Sequence, residues 1–104
     1  MFNLFKKEHK QFDPNHKIRY EYRFKGNVQN IGFRFEIQQR AMKYNLTGWA
    51  RNNEDGSVTC QLQGEQGCID KTIQELNEID RITITAIQKK VIPIQEEYDF
   101  IIRY

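Results

Sequence analysis

The sequence predicts an α+β sandwich in which a mostly antiparallel sheet carries two helices on one face. Several short segments alternate apolar and polar residues, which is typical of strands with one buried face and one solvated face. Two other segments space their apolar residues as a helix does, and together the elements follow the order βαββαβ. A chain of 104 residues is long enough for one such domain with its own core.

The first half of the chain contains a strand, a helix and a second strand. The strand at 17–25 alternates strictly, with apolar residues on one face: Ile18, Tyr20, Tyr22 and Phe24. Its other face is polar and is expected to meet water: Arg19, Glu21, Arg23 and Lys25. The helix at 33–44 has apolar residues at helical spacing: Phe33, Ile37, Ala41 and Tyr44. Residues 46–52 form the second strand, and Asn-Glu-Asp-Gly at 53–56 predicts a hairpin turn.

The second half repeats this arrangement of strand, helix and strand. Residues 57–63 alternate, and a helix at 67–79 follows. Alternation returns at 81–89 and 98–104, on either side of Pro93. The side chains expected to face the core are Val58, Cys60, Leu62, Ile69, Ile73, Leu76, Ile82, Ile84 and Ala86. In this order each βαβ unit is split, which means that its two strands lie on either side of a third strand. With right-handed crossovers, such split units predict the ferredoxin-like sandwich.

Composition and charge set limits on function. The formal net charge of +2 is too small to indicate a nucleic-acid-binding protein, although it favours a small phosphorylated substrate. Cys60 and Cys68 lack metal-ligand spacing, so we expect no metal site and no disulfide, as in a reducing cytoplasm. Cys60 is interpreted as a core residue and Cys68 as an incidental one. No segment has the length of a signal peptide or a membrane span.

Residues 1–16 differ from the rest of the chain. They are polar apart from a short apolar cluster at the start, and they contain both histidines, His9 and His16. We predict a flexible N-terminal extension at 1–16, followed by the folded domain at 17–104. The apolar cluster is too short for a convincing membrane-binding amphipathic helix.

A Gly/Asn-rich turn joins the first strand to the first helix and ends at Arg34. Such a turn points successive backbone N–H groups outward, beside the positive end of the helix dipole. The turn consists of Asn27, Val28, Gln29, Asn30, Ile31, Gly32 and Phe33. With a guanidinium directly after it, the turn predicts a pocket for an anion of phosphate size.

Two segments resemble the signatures of the acylphosphatase family. Residues 26–34 resemble its phosphate-binding pattern, Gly-x-Val-Gln-Gly-Val-x-Phe-Arg, and residues 48–58 resemble Gly-Trp-Val-x-Asn-x-x-Asp-Gly-x-Val. The resemblance covers roughly residues 17–104 and implies hydrolysis of small acyl phosphates to a carboxylate and inorganic phosphate. It implies no cofactor, no metal and no covalent intermediate. Arg34 matches the arginine that binds phosphate, and Asn52 matches the asparagine that orients the attacking water.

The chemistry of the substrate agrees with these residue types. Phosphoryl transfer passes through a loose transition state with charge on three oxygens, so fixed donors do most of the catalysis. A carboxylate leaves without being protonated, so an amide that positions water suffices where a titrating acid is absent. Trp49 is interpreted as a packing residue beneath the site, and Arg40 and Arg51 as solvated surface charges.

The sequence departs from the family pattern at Asn30, where the family has glycine, and at Ala50, where it has valine. Asparagine tolerates a left-handed backbone better than other non-glycine residues, so we expect the turn to survive and the enzyme to be active, if slower. One alternative is a catalytically weak phosphate-binding regulatory module. A less favoured one is an RNA-binding βαββαβ module, whose aromatic strand motif residues 32–35 faintly resemble. By its size, the chain is expected to be a monomer.

Overall fold

The computed structural model describes residues 12–104. Its elements are β1 (Ile18–Asn27), α1 (Phe33–Lys43), β2 (Thr47–Asn52), β3 (Val58–Gly64), α2 (Gln66–Asn77), β4 (Thr83–Ile92) and β5 (Phe100–Arg103). Residues 1–11 lie outside the described residues, and the flexible extension at 1–16 therefore stays a prediction. Within residues 12–104, neither helix is long and apolar enough to cross a bilayer.

The strands form one sheet in the order β4-β1-β3-β2-β5. All neighbouring strands are antiparallel except β2 and β5, which pair in parallel. Strand β3 lies between β1 and β2, and β1 lies between β3 and β4, so each helix connects two strands across a third. This is the predicted ferredoxin-like sandwich, with β5 added beside β2.

The core lies between the helices and one face of the sheet. The rings of Phe24 in β1 and Phe33 in α1 meet edge to face, with their centroids 5.1 Å apart. Cys60 is fully buried in this core, as its position in the alternation predicted. Gly48 is required where β2 approaches β3, because a Cβ there would lie 1.8 Å from the carbonyl oxygen of Gln61. The family's second signature therefore begins at a position that accepts no side chain.

The opposite face of the sheet is less solvated than the alternation predicted. Arg19 was expected to meet water, but its side chain is completely buried. The connection between β4 and β5 crosses this face, and its Glu97 accepts a hydrogen bond from Nη1 of Arg19 at 2.7 Å. The same connection is fixed to Gln63, whose Nε2 donates to the carbonyl oxygen of Gln95 at 2.7 Å. Because the connection covers this face, Arg19 is buried although its place in the alternation predicts exposure to water.

The position of Ala86 in β4 also differs from the prediction. Alternation placed it toward the core, but it is exposed. The register of β1 against β4 shifts between Lys25 and Gly26, and this irregularity places Ala86 opposite Lys25 on the polar face. A bulge changes which face later residues occupy, and the alternation of β4 alone does not reveal it.

Replacing Arg19 by alanine is expected to lower the free energy of unfolding by about 3 kcal/mol or more, because it leaves buried acceptors without their donor. The guanidinium also donates to Gln61 and Gln63, so several hydrogen bonds are lost at once. Arg23 on the same face provides the control, since its ion pair with Asp55 is about half exposed. Urea titration of both variants measures the effect, and we expect Arg23→Ala to lower the free energy of unfolding by about 1 kcal/mol or less. Equal losses in the two variants would contradict a structural role for the buried network.

Candidate active site

A cavity of about 230 Å³ lies where the start of α1 meets the ends of β2 and β5. It contains both residues that the sequence singled out for catalysis, Arg34 and Asn52. The complete lining is Val28, Asn30, Gly32, Phe33, Arg34, Phe35, Asn52, Ile102 and Tyr104. Two motifs that are separated along the chain therefore share one concave site.

The loop before α1 has the left-handed turns that an anion-binding loop needs. Asn30 has a φ of 64°, and Gly32, the N-cap residue of α1, has a φ of 79°. Asn30 thus takes the conformation that was expected of an asparagine in the family's glycine position. The N-cap residue of α1 is Gly32, which has no side chain to cap the first turn. The first-turn N–H groups thus receive no acceptor from the N-cap residue, and such groups bind anions at many helix N-termini.

Only part of the predicted loop lines the cavity. Val28, Asn30, Gly32 and Phe33 do so, whereas Asn27, Gln29 and Ile31 do not. Gln29 has a different contact that the sequence did not indicate. Its Nε2 donates to the carbonyl oxygens of Asn53 at 2.7 Å and Ser57 at 2.8 Å. The side chain of Gln29 therefore ties the loop to the turn between β2 and β3.

That turn is itself held by its own side chains. Asn53 Nδ2 donates to Ser57 Oγ at 2.9 Å, and the backbone N–H of Ser57 donates to Asp55 Oδ1 at 3.0 Å. The hydrogen bonds from Ser57, more than the ion pair with Arg23, lower the pKa of Asp55 to about 2. The loop is thus anchored to a turn whose geometry is fixed by ionised and hydrogen-bonded groups.

Arg81 fixes the end of the loop, another contact that the sequence did not indicate. Its Nε donates to the carbonyl oxygen of Ile31 at 3.1 Å, and its Nη2 contacts Glu36 at 2.7 Å. Hydrogen bonds from Arg81 and then from Arg40 lower the pKa of Glu36. Arg40 is therefore not a solvated charge, since it pairs with both Glu36 and Glu75. Nothing in the spacing of Arg81 distinguishes it from a surface residue.

The last residues of the chain position the guanidinium of Arg34. Its Nη1 donates to the carbonyl oxygen of Arg103 at 2.8 Å, and its Cζ lies 4.9 Å from the centroid of the Tyr104 ring. This combination of a hydrogen bond and a cation–π contact restrains a side chain that would otherwise be flexible. No sequence pattern indicates this role for Tyr104, because its place beside Arg34 depends on β5 pairing with β2.

Asn52 ends β2 and lies on the helix-covered face, opposite Val58 in β3. Its Oδ1 is buried and accepts no hydrogen bond from any group of residues 12–104. A buried amide oxygen usually has a partner, so one without a partner, in a residue that lines the cavity, is suited to accept a hydrogen bond from a molecule bound there.

Trp49 is a packing residue, as predicted, but it does not lie beneath the cavity. Its ring is mostly buried on the other face of the sheet, with Arg51 and Arg103 stacked over it at 5.2 and 4.5 Å. Arg51 is therefore partnered by an aromatic ring, although it is exposed. Within residues 12–104, no three side chains of His, Cys, Asp or Glu are grouped as metal ligands would be.

Comparison with known proteins gives consistent results. The family model Acylphosphatase matches residues 20–102. The acylphosphatase of Geobacillus kaustophilus is 46% identical over 44 residues, a segment that covers 42% of this chain and about half (47%) of that relative. The acylphosphatase of Aliivibrio fischeri is 37% identical over 82 residues, covering 78% of this chain and 91% of that protein. The crystal structure of acylphosphatase from Bacillus subtilis superposes with a TM-score of 0.79 at 26% identity, covering 84% of this chain and 99% of that one. This chain belongs to the acylphosphatase family.

Proposed function

We propose that this protein hydrolyses the carboxyl–phosphate bond of small acyl phosphates, giving a carboxylate and inorganic phosphate. The observation that carries the proposal is the meeting of Arg34 and Asn52 in one cavity at the N-terminus of α1. The first supplies a fixed positive charge, and the second supplies a buried amide oxygen without a protein partner among residues 12–104. Membership of the acylphosphatase family supports the same reaction.

In the proposed mechanism, the phosphate group binds Arg34 and backbone N–H groups of the loop residues that line the cavity, Val28, Asn30, Gly32 and Phe33. A guanidinium offers two parallel donors to phosphate oxygens, and the helix N-terminus offers further donors with a favourable dipole. These groups are restrained before substrate arrives, by Tyr104 and Arg103 on one side and by Gln29 and Arg81 on the other. Donors that need no reorganisation stabilise the charge of the transition state most effectively.

Asn52 orients the attacking water through its Oδ1, which accepts a hydrogen bond from it. The water oxygen bonds to phosphorus, and the bond from phosphorus to the acyl oxygen breaks. The carboxylate leaves with the electron pair of that bond, and the proton of the water passes to a phosphate oxygen of the substrate. Because the leaving carboxylate needs no proton, no residue in the cavity has to act as an acid.

The first test is a phosphate-release assay on the wild-type chain with acetyl phosphate and benzoyl phosphate. We expect turnover of both, with no loss on addition of EDTA, since no step uses a metal. Glycerol phosphate is the matched negative control, because its alkoxide leaving group needs a general acid, and the proposed mechanism uses none. A folded protein that leaves both acyl phosphates untouched would overturn the proposal.

A second candidate function, favoured by Asn30, is a phosphate-binding regulatory module with weak catalysis. Asn30 lines the cavity at a position where the family pattern has glycine. Such a module would bind inorganic phosphate with Arg34 but would turn over either acyl phosphate only very slowly. The same assay therefore separates it from the enzyme.

The proposal also includes the partners, the location and the oligomeric state of the protein. The aromatic residues at 32–35 open α1 instead of lying on a strand, which weighs against an RNA-binding sheet surface. We propose a cytoplasmic monomer that binds small acyl phosphates and inorganic phosphate, without nucleic acid or membrane partners. Residues 1–16 are proposed to be a flexible extension that takes no part in the site.

A further inference from the structure

The lining of the active-site cavity divides into a floor and a rim. Val28 and Phe33 form the floor, since each is only 1% exposed. Phe35 and Tyr104 form the rim, with exposures of 52% and 97%, and Ile102, also in the lining, is half-buried. The polar members of the lining are those that the proposed mechanism assigns to phosphate and water. In that mechanism Phe35 and Ile102 have no part, and Tyr104 acts only by supporting Arg34.

The size of the cavity leaves room beyond the phosphate group. A volume of about 230 Å³ corresponds to several waters at about 30 Å³ each. A phosphate held by Arg34 and the loop amides uses the polar part of this space. The acyl group that it carries must then extend toward the mouth, where the exposed apolar side chains lie. Burying an apolar acyl group against them removes apolar surface of both from water, which is favourable.

We propose that Phe35, together with Ile102 and Tyr104, forms an acyl-group site that favours acyl phosphates with an aromatic or bulky apolar acyl group. This inference rests on the proposed function, because it concerns the substrate of the same cavity. Aromatic rings stack offset or edge to face with centroids about 4.5–7 Å apart, so the two exposed rings of the rim suit an aryl group.

Phe35 is the informative residue of this site. A single exposed apolar residue is ordinary on a protein surface, and Met42 of the same helix is one, at 74% exposure outside the cavity. Phe35 differs because it lines the cavity together with two other side chains that offer apolar surface, Ile102 and Tyr104. Tyr104 also supports Arg34, so changing it would disturb phosphate binding as well. The side chain of Phe35 has no polar group to lose, and it directly follows Arg34 in the chain.

The test compares kcat/KM for benzoyl phosphate and acetyl phosphate in the wild type, Phe35→Ala, Phe35→Leu and Met42→Ala. The two substrates differ in intrinsic reactivity, so the informative quantity is the change of their ratio between variants. We expect Phe35→Ala to lower the benzoyl-to-acetyl ratio by about three- to tenfold, the size of one aromatic contact. Phe35→Leu should give an intermediate ratio, and Met42→Ala should keep the ratio of the wild type.

Two results would overturn the inference while leaving the proposed function intact. One is an unchanged ratio in folded Phe35→Ala, and the other is an equal fall of kcat/KM for both substrates, which would indicate a structural effect. Thermal unfolding followed by circular dichroism checks the fold of each variant, and Phe35→Leu decides if the alanine variant does not fold. Absence of turnover of either substrate by the wild type would instead remove the proposed function, and the inference with it.

Discussion

Replacing Arg34 by alanine is expected to lower kcat/KM for acetyl phosphate by about 10³-fold, within the range measured for arginines that stabilise phosphoryl transfer. The residue supplies the strongest fixed charge of the cavity lining, and its guanidinium is held by the carbonyl oxygen of Arg103 and the ring of Tyr104. Both substrate binding and the transition state lose this charge, so KM should rise and kcat should fall. Steady-state kinetics with acetyl phosphate measures both changes.

Two further variants make the Arg34 result specific. Arg34→Lys keeps the charge but loses the planar fork, so we expect it to recover only a small part of the lost activity. Arg51→Ala removes another exposed arginine, one that stacks on Trp49 outside the cavity, and should keep the activity of the wild type. Inhibition by inorganic phosphate gives an independent readout, because Arg34→Ala should weaken it strongly. Unchanged phosphate inhibition in Arg34→Ala would exclude this residue from phosphate binding.

The fold was predictable because its strands and helices are local patterns. The alternation from Ile18 to Phe24 and the helical spacing from Phe33 to Ala41 each describe one buried face, and the structure contains both. The predictions for Arg19 and Ala86 were wrong for a common reason. The first depends on a distant connection that crosses the sheet, and the second on a bulge in the neighbouring strand. Neither the crossing connection nor the bulge changes the alternation of residues in the strand itself, so the sequence pattern does not indicate them.

The candidate site also has a part that local motifs predict and a part that depends on distant contacts. Arg34 and Asn52 stand in two short motifs that resemble the family's signatures, and this resemblance was enough to indicate them; both line the cavity. The residues that restrain the site are distant along the chain. Arg81 reaches the loop from the turn before β4, and Tyr104 reaches Arg34 from the position directly after β5. Their effect depends on strand pairing, which a single sequence indicates only through the fold.

Replacing Asn52 by alanine is expected to lower kcat by about 10²- to 10³-fold, the usual cost of one positioned transition-state donor or acceptor. The change should leave KM and the inhibition by inorganic phosphate nearly as they are in the wild type. The reason is that, in the proposed mechanism, Asn52 positions the water, whereas Arg34 and the loop hold the phosphate. The two alanine variants should therefore separate, with binding lost in Arg34→Ala and turnover lost with binding retained in Asn52→Ala.

The neighbouring Asn53 provides the matched control for this separation. Its Nδ2 donates to Ser57 and Thr59 within the turn, and it is not part of the cavity lining. Asn53→Ala should lower the free energy of unfolding by about 1 kcal/mol through these lost hydrogen bonds, with a much smaller effect on kcat. If Asn52→Ala instead loses stability like Asn53→Ala and keeps its kcat, then the amide only ends a strand. The attacking water would then have to be positioned by the loop alone, and the Oδ1 of Asn52 would have no catalytic role.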